Sequence, residues 1–245
     1  MRFDKFVASK LNISRNQASA LIEAEKILLN GEICAKNSFE ISSGDIDVID
    51  EIYVGRGALK LKSFLKSIKK ATFGAKIFDE INNAECLDIG SSTGGFVQIL
   101  LQNGAKNVVA LDVGTSQLAE ILKNDERVEV CENTDIRSFE SKIKFDFVTC
   151  DVSFISLNLI IERILKLSKK YVIILFKPQF EVGKEAKRDK KGVVKDEKKI
   201  ALAKALFEQN IYSSGAEILL CELCQIAGKN GNNEYFYLIQ KEKDV

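Results

Sequence analysis

Residues 87–96 read Leu-Asp-Ile-Gly-Ser-Ser-Thr-Gly-Gly-Phe, a glycine-rich loop between a predicted strand and a predicted helix. Gly90 lets the chain turn sharply where the strand ends, and Gly94 and Gly95 let the backbone approach a ligand at the start of the helix. The spacing is neither the GxGxxG of dinucleotide-binding domains nor a phosphate-binding loop with a following Lys-Ser/Thr. The loop carries an acid, Asp88, which suits a nucleoside with a cationic sulfonium better than a pyrophosphate.

Three further acids follow the next predicted strands. Asp112 lies where its carboxylate can accept hydrogen bonds from both hydroxyls of a ribose. Asp135 lies where it can accept a hydrogen bond from an adenine amino group, and Asp151 ends a fourth strand. Because ligands bind at the carboxyl ends of the strands in a doubly wound sheet, these acids and Asp88 predict one nucleoside site.

The register of these acids resembles the class I methyltransferases, which implies S-adenosylmethionine as the cofactor. On this resemblance the cofactor-binding residues are Asp88, Gly90, Ser92, Thr93, Gly94, Gly95, Asp112, Asp135 and Asp151. A purely structural strand–turn–helix and a nicotinamide dinucleotide domain are the alternatives at this point.

From residue 55 onward, apolar strand-like runs alternate with amphipathic helices, among them a predicted helix over 116–124. Such alternation is typical of an α/β fold with a doubly wound, mostly parallel sheet, the Rossmann-like architecture of class I methyltransferases. The last two runs, 216–226 and 234–240, are joined by the turn-forming residues 228–233 without a helix. The last strand is therefore predicted to be antiparallel.

The first 50 residues follow another pattern. Ser14 is a predicted helix N-cap with Gln17 at the capping-box position, and an Asn-Gly turn at residues 30–31 predicts a hairpin, followed by a strand over 46–49. The sequence thus predicts three segments: a small α+β domain over residues 1–50, a short linker over 51–54 and a large domain over 55–245.

The small domain resembles the S-four RNA-binding domain. The matching residues are Arg2-Phe-Asp-Lys-Phe-Val7, Ser14-Arg-Asn-Gln-Ala18, Ile22, Leu28-Leu-Asn-Gly31 and Gly44-Asp45. The resemblance implies that cations on its first two helices contact RNA phosphates, and here these are Arg2, Lys5, Lys10 and Arg15. Since residues 1–50 carry six cations and eight anions, binding would depend on one face of the domain.

The composition excludes several kinds of site. The chain has no histidine, so Ser-His triads, histidine-ligated zinc and histidine general bases are ruled out, and proton transfer must use Lys, Asp, Glu or Cys. Cys221 and Cys224 form a lone CxxC, and a zinc site would need a second pair of ligands. We therefore expect no metal and interpret the six cysteines as reduced core residues.

Charge and hydropathy suggest the partner and the compartment. The net charge of +1 conceals a stretch at 55–78 with seven cations and no anion, and one at 177–199 with nine cations against five anions. These stretches suggest a localised anionic partner such as RNA, with a solvated helix face as the alternative. We expect no DNA partner and no membrane segment. No apolar run reaches the roughly 18 residues that a membrane helix needs, and the N-terminus lacks a signal peptide, so we expect a cytoplasmic protein.

Four ionisable residues near the predicted strand ends, Lys60, Asp151, Lys177 and Glu234, indicate the chemistry. A ribose hydroxyl is a very weak acid, so its attack on a sulfonium methyl needs a base and in-line alignment. A lysine becomes a base when burial and a second cation lower its pKa, which we expect for Lys177 beside Lys60. The two acids would orient the lysines and the hydroxyl, whereas the alternative for each residue is a surface ion pair.

These motifs together resemble the TlyA family over essentially the whole chain. The matching stretches are Arg56-Gly-x-x-Lys60-Leu, Asp88-Ile-Gly-x-Ser-Thr-Gly-Gly-Phe96, Asp151-Val-Ser-Phe-Ile-Ser156, Lys177-Pro-Gln-Phe-Glu-Val-Gly183 and Gly-Asn-x-Glu234. The family joins an S-four domain to an FtsJ-like ribose methyltransferase, which implies methylation of cytidine 2'-hydroxyls in ribosomal RNA by the Lys60, Asp151, Lys177 and Glu234 tetrad. The termini resemble the family's short form, which implies large-subunit RNA as the substrate.

Arg56 is a further candidate for RNA contact, and Phe154 would stack on the target base or a neighbour unless it is a core residue. Two other functions stay open from the sequence. One is a non-catalytic RNA-binding factor in ribosome assembly. The other is a membrane-active protein, because the family also carries the name hemolysin, although we find no membrane-active segment.

Overall fold

The structure, a computed structural model, describes residues 1–48, 52–228 and 231–241. The chain divides into two compact units, Met1–Gly55 and Arg56–Val245. Parts of three sequence predictions lie outside the described residues: the end of the strand predicted over 46–49, the start of the linker predicted over 51–54, and the middle of the turn predicted over 228–233.

The first unit contains two helices and a three-stranded antiparallel sheet. Its elements are α1, Phe3–Leu11; α2, Arg15–Glu23; β1, Ile27–Leu29; β2, Glu32–Ile33; and β3, Ile46–Val48. The predicted capping box begins α2, because the Ser14 side chain accepts from the Gln17 backbone and the Gln17 side chain accepts from the Ser14 backbone. The Asn-Gly turn joins β1 to β2 with positive φ at Asn30 and Gly31, as such a hairpin requires.

The second unit is a larger α/β domain. Its elements are α3, Arg56–Lys70; α4, Gly74–Ile81; β4, Glu85–Ile89; α5, Gly95–Gln102; β5, Asn107–Leu111; α6, Glu120–Lys123; β6, Val128–Cys131; β7, Phe145–Cys150; a 3-10 turn, Leu157–Leu159; α7, Ile161–Leu167; β8, Ser168–Phe176; α8, Pro178–Glu181; α9, Glu197–Ser213; β9, Ala216–Leu223; and β10, Tyr235–Lys241.

The seven strands of this domain lie in the order β6-β5-β4-β7-β8-β10-β9. The five from β6 to β8 are parallel, and β10 is antiparallel to both of its neighbours. The prediction of a doubly wound, mostly parallel sheet with an antiparallel last strand is confirmed. The strand order reverses between β4 and β7, and ligands bind in the crevice at such a point.

One predicted helix is much shorter than expected. The prediction of a helix over 116–124 was wrong for its first turn, since α6 covers only Glu120–Lys123. The Glu132 carboxylate accepts hydrogen bonds from the backbone amides of Ser116, Gln117 and Leu118, at 2.6, 2.8 and 3.1 Å. This long-range contact satisfies the amides without a helix and holds the segment as a loop beside the carboxyl ends of the strands.

Candidate active site

The loops after β4 and β7 meet at the crevice because of one glycine. Gly90 has a φ of +79°, and a Cβ atom built on it would lie 2.9 Å from the carbonyl oxygen of Asp151. A side chain here would therefore strain the backbone and force the two loops apart. Gly94, with a φ of +91°, then begins α5, where a Cβ atom would lie 2.2 Å from the side chain of Leu122.

A second close approach brings α3 to the same loop. A Cβ atom on Gly95 would lie 2.6 Å from the backbone nitrogen of Ala58, so glycine is needed for the first turn of α3 to pack here. Arg56 and Gly57 consequently line a cavity of about 230 Å³ beside the loop, together with Ser92 and Thr93.

A second cavity, of about 760 Å³, is lined by residues of the same loop. The two cavities share Gly90, Ser92, Asp151 and Ser153, so they are two parts of one crevice. The combined size and the mixed polar and apolar walls are typical of a small-molecule site.

Asp88 is a buried acid that lines the smaller cavity. Its side chain is almost inaccessible, with the residue 1% exposed, and its Oδ1 accepts a hydrogen bond of 2.6 Å from the Thr149 hydroxyl. Its Oδ2 is buried and has no hydrogen-bond partner. Burial raises the pKa of Asp88 to about 7, so the carboxyl is poised to ionise when a cation arrives. The ammonium group at the amino-acid end of S-adenosylmethionine fits this orphaned oxygen.

Asp112 lies at the end of β5 in the wall of the larger cavity. Its Oδ2 accepts from the Ser92 amide at 2.8 Å, and its Oδ1 accepts from the Gly114 amide at 2.7 Å. These bonds fix the carboxylate while each oxygen keeps acceptor capacity for a ribose hydroxyl. Gln117 lines the same cavity; the sequence interpretation missed it because it placed this residue inside a helix.

Asp135 also lines the larger cavity, but its carboxylate is already engaged. The Arg137 guanidinium donates to both of its oxygens, with the shortest distance 2.6 Å, and holds the pKa of Asp135 below its usual range. Asp135 therefore faces the cavity as a fixed ion pair, an arrangement that the sequence did not predict. The neighbouring Ile136 supplies an apolar wall suited to an adenine ring.

The four predicted catalytic residues form two ion pairs. Lys60 Nζ lies 2.5 Å from Glu234 Oε2, and Lys177 Nζ lies 2.7 Å from Asp151 Oδ1. Lys177 also donates to the Ser153 hydroxyl at 3.0 Å. Each lysine thus has a carboxylate partner, whereas the proximity of Lys177 to Lys60 stays a prediction.

Electrostatics link the two pairs. Burial raises the pKa of Asp151, whereas the positive charges of Lys177 and Lys60 act in the opposite direction and the negative charge of Glu234 adds to the rise. Of the four residues, Asp151 and Lys177 line the smaller cavity. The arrangement places a paired acid and base against the cofactor crevice, with a second pair close enough to influence them.

Two residues that support Glu234 were missed from the sequence. Gln179 Nε2 lies 3.3 Å from Glu234 Oε1, in donating position. A Cβ atom on Gly228 would lie only 2.1 Å from the same oxygen, so a glycine is required there. Both residues lie in stretches that the sequence singled out, 177–183 and 228–234. They were passed over because neither has an ionisable side chain.

The predicted RNA-contacting residues lie in both units. In the first, the buried Asp4 pairs with Arg2 at 3.0 Å and with Arg15 at 2.9 Å, and these arginines hold the pKa of Asp4 near 2, far below its usual range. Lys10 lies over the ring of Phe6, with its Nζ 5.7 Å from the ring centroid, and Lys5 is exposed.

In the second unit, Arg56 donates to the carbonyl of Ala227 at 2.6 Å. Phe154 is 91% exposed, so it is not a core residue. It has a φ of +66° and lies beside Phe180, with 5.0 Å between ring centroids.

The cysteines are all unpaired, and Cys86, Cys150 and Cys224 are buried. Burial raises the pKa of each of these three thiols, which disfavours a reactive thiolate. Within residues 1–48, 52–228 and 231–241, no group of three or more Cys, Asp or Glu side chains could hold a metal ion.

Comparison with known proteins identifies the family. The FtsJ-like methyltransferase family model matches residues 53–241, and the S4 domain model matches residues 1–47. The 23S rRNA (cytidine-2'-O)-methyltransferase TlyA of Campylobacter jejuni is 47% identical, with 97% of this chain and 98% of the relative covered. The 16S/23S rRNA (cytidine-2'-O)-methyltransferase TlyA of Mycobacterium tuberculosis is 34% identical, with 94% of this chain and 86% of the relative covered.

Solved structures give the same result. A protein from Streptococcus thermophilus that carries the name hemolysin is 32% identical and superposes with a TM-score of 0.70, with 100% of this chain and 91% of that one covered. The resemblance that the sequence motifs indicated is confirmed. This chain therefore belongs to the TlyA family, in which an FtsJ-like methyltransferase domain follows an S4 domain.

Proposed function

We propose that this protein transfers the methyl group of S-adenosylmethionine to the 2'-hydroxyl of a cytidine in ribosomal RNA. The observation that carries the proposal is the Lys177–Asp151 ion pair, which lines the same crevice as the unpartnered Asp88 oxygen. A base beside a site for a cationic nucleoside is the arrangement that transfer to a weakly acidic hydroxyl needs. Both curated relatives described above are named for this reaction on rRNA.

The cofactor would lie across both cavities. Asp88 would receive its ammonium group and Asp112 its ribose hydroxyls, while Asp135 and Ile136 would border its adenine. Ser92, Thr93 and Gly95 would surround its amino-acid end, with Gly94 as the N-cap of α5, and Gly90 and Asp151 would form the shared wall. When bound, the cofactor supplies an electrophilic methyl group on a sulfonium.

Lys177 would act on the ribose hydroxyl. To accept the proton of the 2'-hydroxyl, Lys177 must enter the step as the neutral amine, and Asp151 and Ser153 hold its Nζ in place. Lys177 Nζ would then take that proton, which frees the 2'-oxygen to receive the methyl group that the cofactor supplies. Lys60 and Glu234 would hold the ribose and balance the charge of the first pair.

Removal of Lys177 tests the reaction. Lys177→Ala should lower methyl transfer from labelled cofactor to ribosomal subunits by about 10²- to 10⁴-fold, the usual contribution of a general base. The matched control is Lys166→Ala, which removes an exposed lysine paired with Glu162 on α7 and should transfer normally. Full activity of Lys177→Ala would refute the assigned role.

The large subunit is the proposed substrate. The Campylobacter relative is named for 23S rRNA alone and is the more similar of the two curated relatives compared here, whereas the Mycobacterium relative is named for both 16S and 23S rRNA. Separate incubation with small and large subunits, followed by mapping of 2'-O-methyl groups, tests this choice. Methylation of the small subunit alone would overturn it.

The contacts with RNA would be divided between two domains, residues 1–50 and 55–245, joined through 51–54. Arg2, Lys5, Lys10 and Arg15 would contact phosphates from the S4 domain, and Arg56 would do so from α3. Phe154 would stack on a base near the target, since it is exposed in the wall of the cofactor crevice. A cytoplasmic location follows from a ribosomal substrate.

Two other functions have separate tests. If the protein is a non-catalytic assembly factor, the Asp151→Ala variant should still complement a deletion of the gene. If it is the proposed enzyme, the variant should not complement the deletion. For a membrane-active role, release of dye from liposomes by the purified protein is the assay. In the part of the chain that the structure describes, no helix has the length and apolar character to cross a bilayer.

A further inference from the structure

The Glu181 carboxylate at the end of α8 binds the loop that follows β7. Its Oε2 accepts a hydrogen bond of 2.6 Å from the Ser156 hydroxyl, and its Oε1 accepts one of 2.8 Å from the Leu157 amide. The Asn158 side-chain amide lies 3.4 Å from Oε2, and the Asn210 amide on α9 donates to Asn158 at 2.7 Å.

The segment held in this way is the Phe154 loop, which we define as residues 151–156. Phe154 has a φ of +66°, a conformation that a residue with a bulky side chain rarely adopts. Its side chain is 91% exposed, so burial does not hold it in place. A strained and exposed residue keeps such a conformation only when its surroundings fix the segment at both ends.

α8 and the residue before it supply both fixed ends. Lys177 pairs with Asp151 and donates to Ser153 at the start of the loop. The ring of Phe180 contacts that of Phe154 in the middle. Glu181 binds the end of the loop, so one short segment contacts the Phe154 loop at its start, middle and end.

We infer that Glu181 is a positioning residue for the RNA substrate, which keeps the Phe154 loop in the conformation that presents Phe154 to a nucleotide. The inference rests on the proposed function, because it assigns that nucleotide to the RNA that the enzyme methylates. Glu181 belongs to the same motif as Lys177, but it lies outside the tetrad and does not line either cofactor cavity.

The charge of Glu181 matters because a carboxylate accepts hydrogen bonds at both oxygens. In Glu181→Gln, one oxygen becomes an amide group that donates, and it would face either the Ser156 hydroxyl or the Leu157 amide. The loss of a charge-assisted hydrogen bond should lower the ratio of held to released loop by about 10- to 100-fold.

Steady-state kinetics provide the first test. Glu181→Gln should raise the KM for ribosomal subunits by about tenfold or more, while the Kd for S-adenosylhomocysteine changes by less than about threefold, since Asp88 and Asp112 bind it from other strands. Glu162→Gln is the matched control, because it makes the same chemical change on the exposed face of α7. Ser156→Ala removes one neutral donor and should shift the same KM in the same direction, by a smaller factor.

A fluorescence measurement tests the loop without RNA. The chain has no tryptophan, so Phe154→Trp introduces a single reporter into the loop. Its steady-state anisotropy should fall when Glu181→Gln is added and should stay the same when Glu162→Gln is added. A merely structural role for Glu181 would lower the melting temperature without this selective loss of anisotropy.

An unchanged KM for subunits together with an unchanged anisotropy in Glu181→Gln would overturn the inference. If Glu181→Gln does not fold, Ser156→Ala replaces it in both measurements, and the same two unchanged values would overturn the inference. Absence of methyl transfer by the wild-type protein to either subunit would instead refute the proposed function. In that case the anisotropy of the Phe154→Trp series still decides whether Glu181 holds the loop.

Discussion

Cofactor binding should depend on pH through Asp88. This carboxyl is buried, one of its oxygens has no partner, and burial raises its pKa to about 7, with the negative charges of Asp151 and Asp112 adding to the rise. Only the ionised form attracts the ammonium group of the cofactor. Binding should therefore release a proton near neutral pH, and the affinity should increase as the pH rises.

The size of the effect follows from the ionised fraction. With a pKa of about 7, roughly three-quarters of Asp88 is ionised at pH 7.5 and about one-tenth at pH 6.0. Because the apparent Kd scales inversely with the competent fraction, affinity should fall about eightfold between these pH values. Asp88→Asn should bind weakly at both pH values and lose this dependence.

Titration calorimetry can measure both the affinity and the proton. S-adenosylhomocysteine is a suitable ligand, since it has the same amino-acid end, and two buffers with different ionisation enthalpies report the protons released. Asp88→Asn is a conservative change, because its amide oxygen can still accept from Thr149, which now donates to Asp88 Oδ1 at 2.6 Å. Wild-type affinity that is equal at pH 6.0 and 7.5, or the same pH dependence in Asp88→Asn, would refute the reasoning.

The stability of the ligand-free protein should change in the opposite direction. The pKa of Asp88 is raised from 3.8 in its ordinary state to about 7 in the fold, so the folded protein binds more protons than the unfolded chain between these values. The Asp88 contribution to the free energy of unfolding should therefore decrease as the pH rises from about 4 to 7 and level off above that. Thermal melts of Asp88→Asn should lack this component.

Two further substitutions follow from close contacts. Gly228→Ala should lower methyl transfer by about tenfold or more, with cofactor affinity unchanged in calorimetry, because its Cβ would lie 2.1 Å from Glu234 Oε1 and displace it; normal transfer would contradict the need for glycine. Asp4→Asn should weaken RNA binding several-fold in filter-binding assays, because Asp4 orients Arg2 and Arg15 in one pair of salt bridges. Unchanged or tighter binding would show that the free arginines suffice.

The fold of the α/β domain could be predicted because the sequence patterns that indicate its strands and turns are local. The strand that ends at Ile89 was predicted to be buried and is buried over residues 86–89, and the glycines follow at once, so the turn into α5 could be located from consecutive residues. The loop over 116–119 could not be predicted, because its backbone amides donate to Glu132, which follows the next strand, β6. Periodicity alone favoured a helix there.

In the candidate site, too, the contacts between residues far apart in the sequence could not be predicted. The sequence identified Lys60 in a motif just before the sheet begins and Glu234 where the last strand opens, yet they are 174 positions apart and their pairing depends on the fold. The fold also decides which carboxylate lies beside each lysine, and residue type alone does not reveal this. The bond between Asp135 and Arg137 shows the opposite case, since two neighbours can neutralise each other within one turn.

The Phe154 loop both lines the larger cavity and presents an exposed ring to solvent. Asp151, Ser153 and Ser156 contribute to the wall of the larger cavity, while the Phe154 ring is exposed. We expect two ligands that contact one short segment to influence each other energetically, and such coupling is reciprocal. If an occupied cofactor crevice raises the affinity for RNA, bound RNA must raise the affinity for the cofactor by the same factor, and the enzyme would then retain its methyl donor most tightly on the ribosomal subunit.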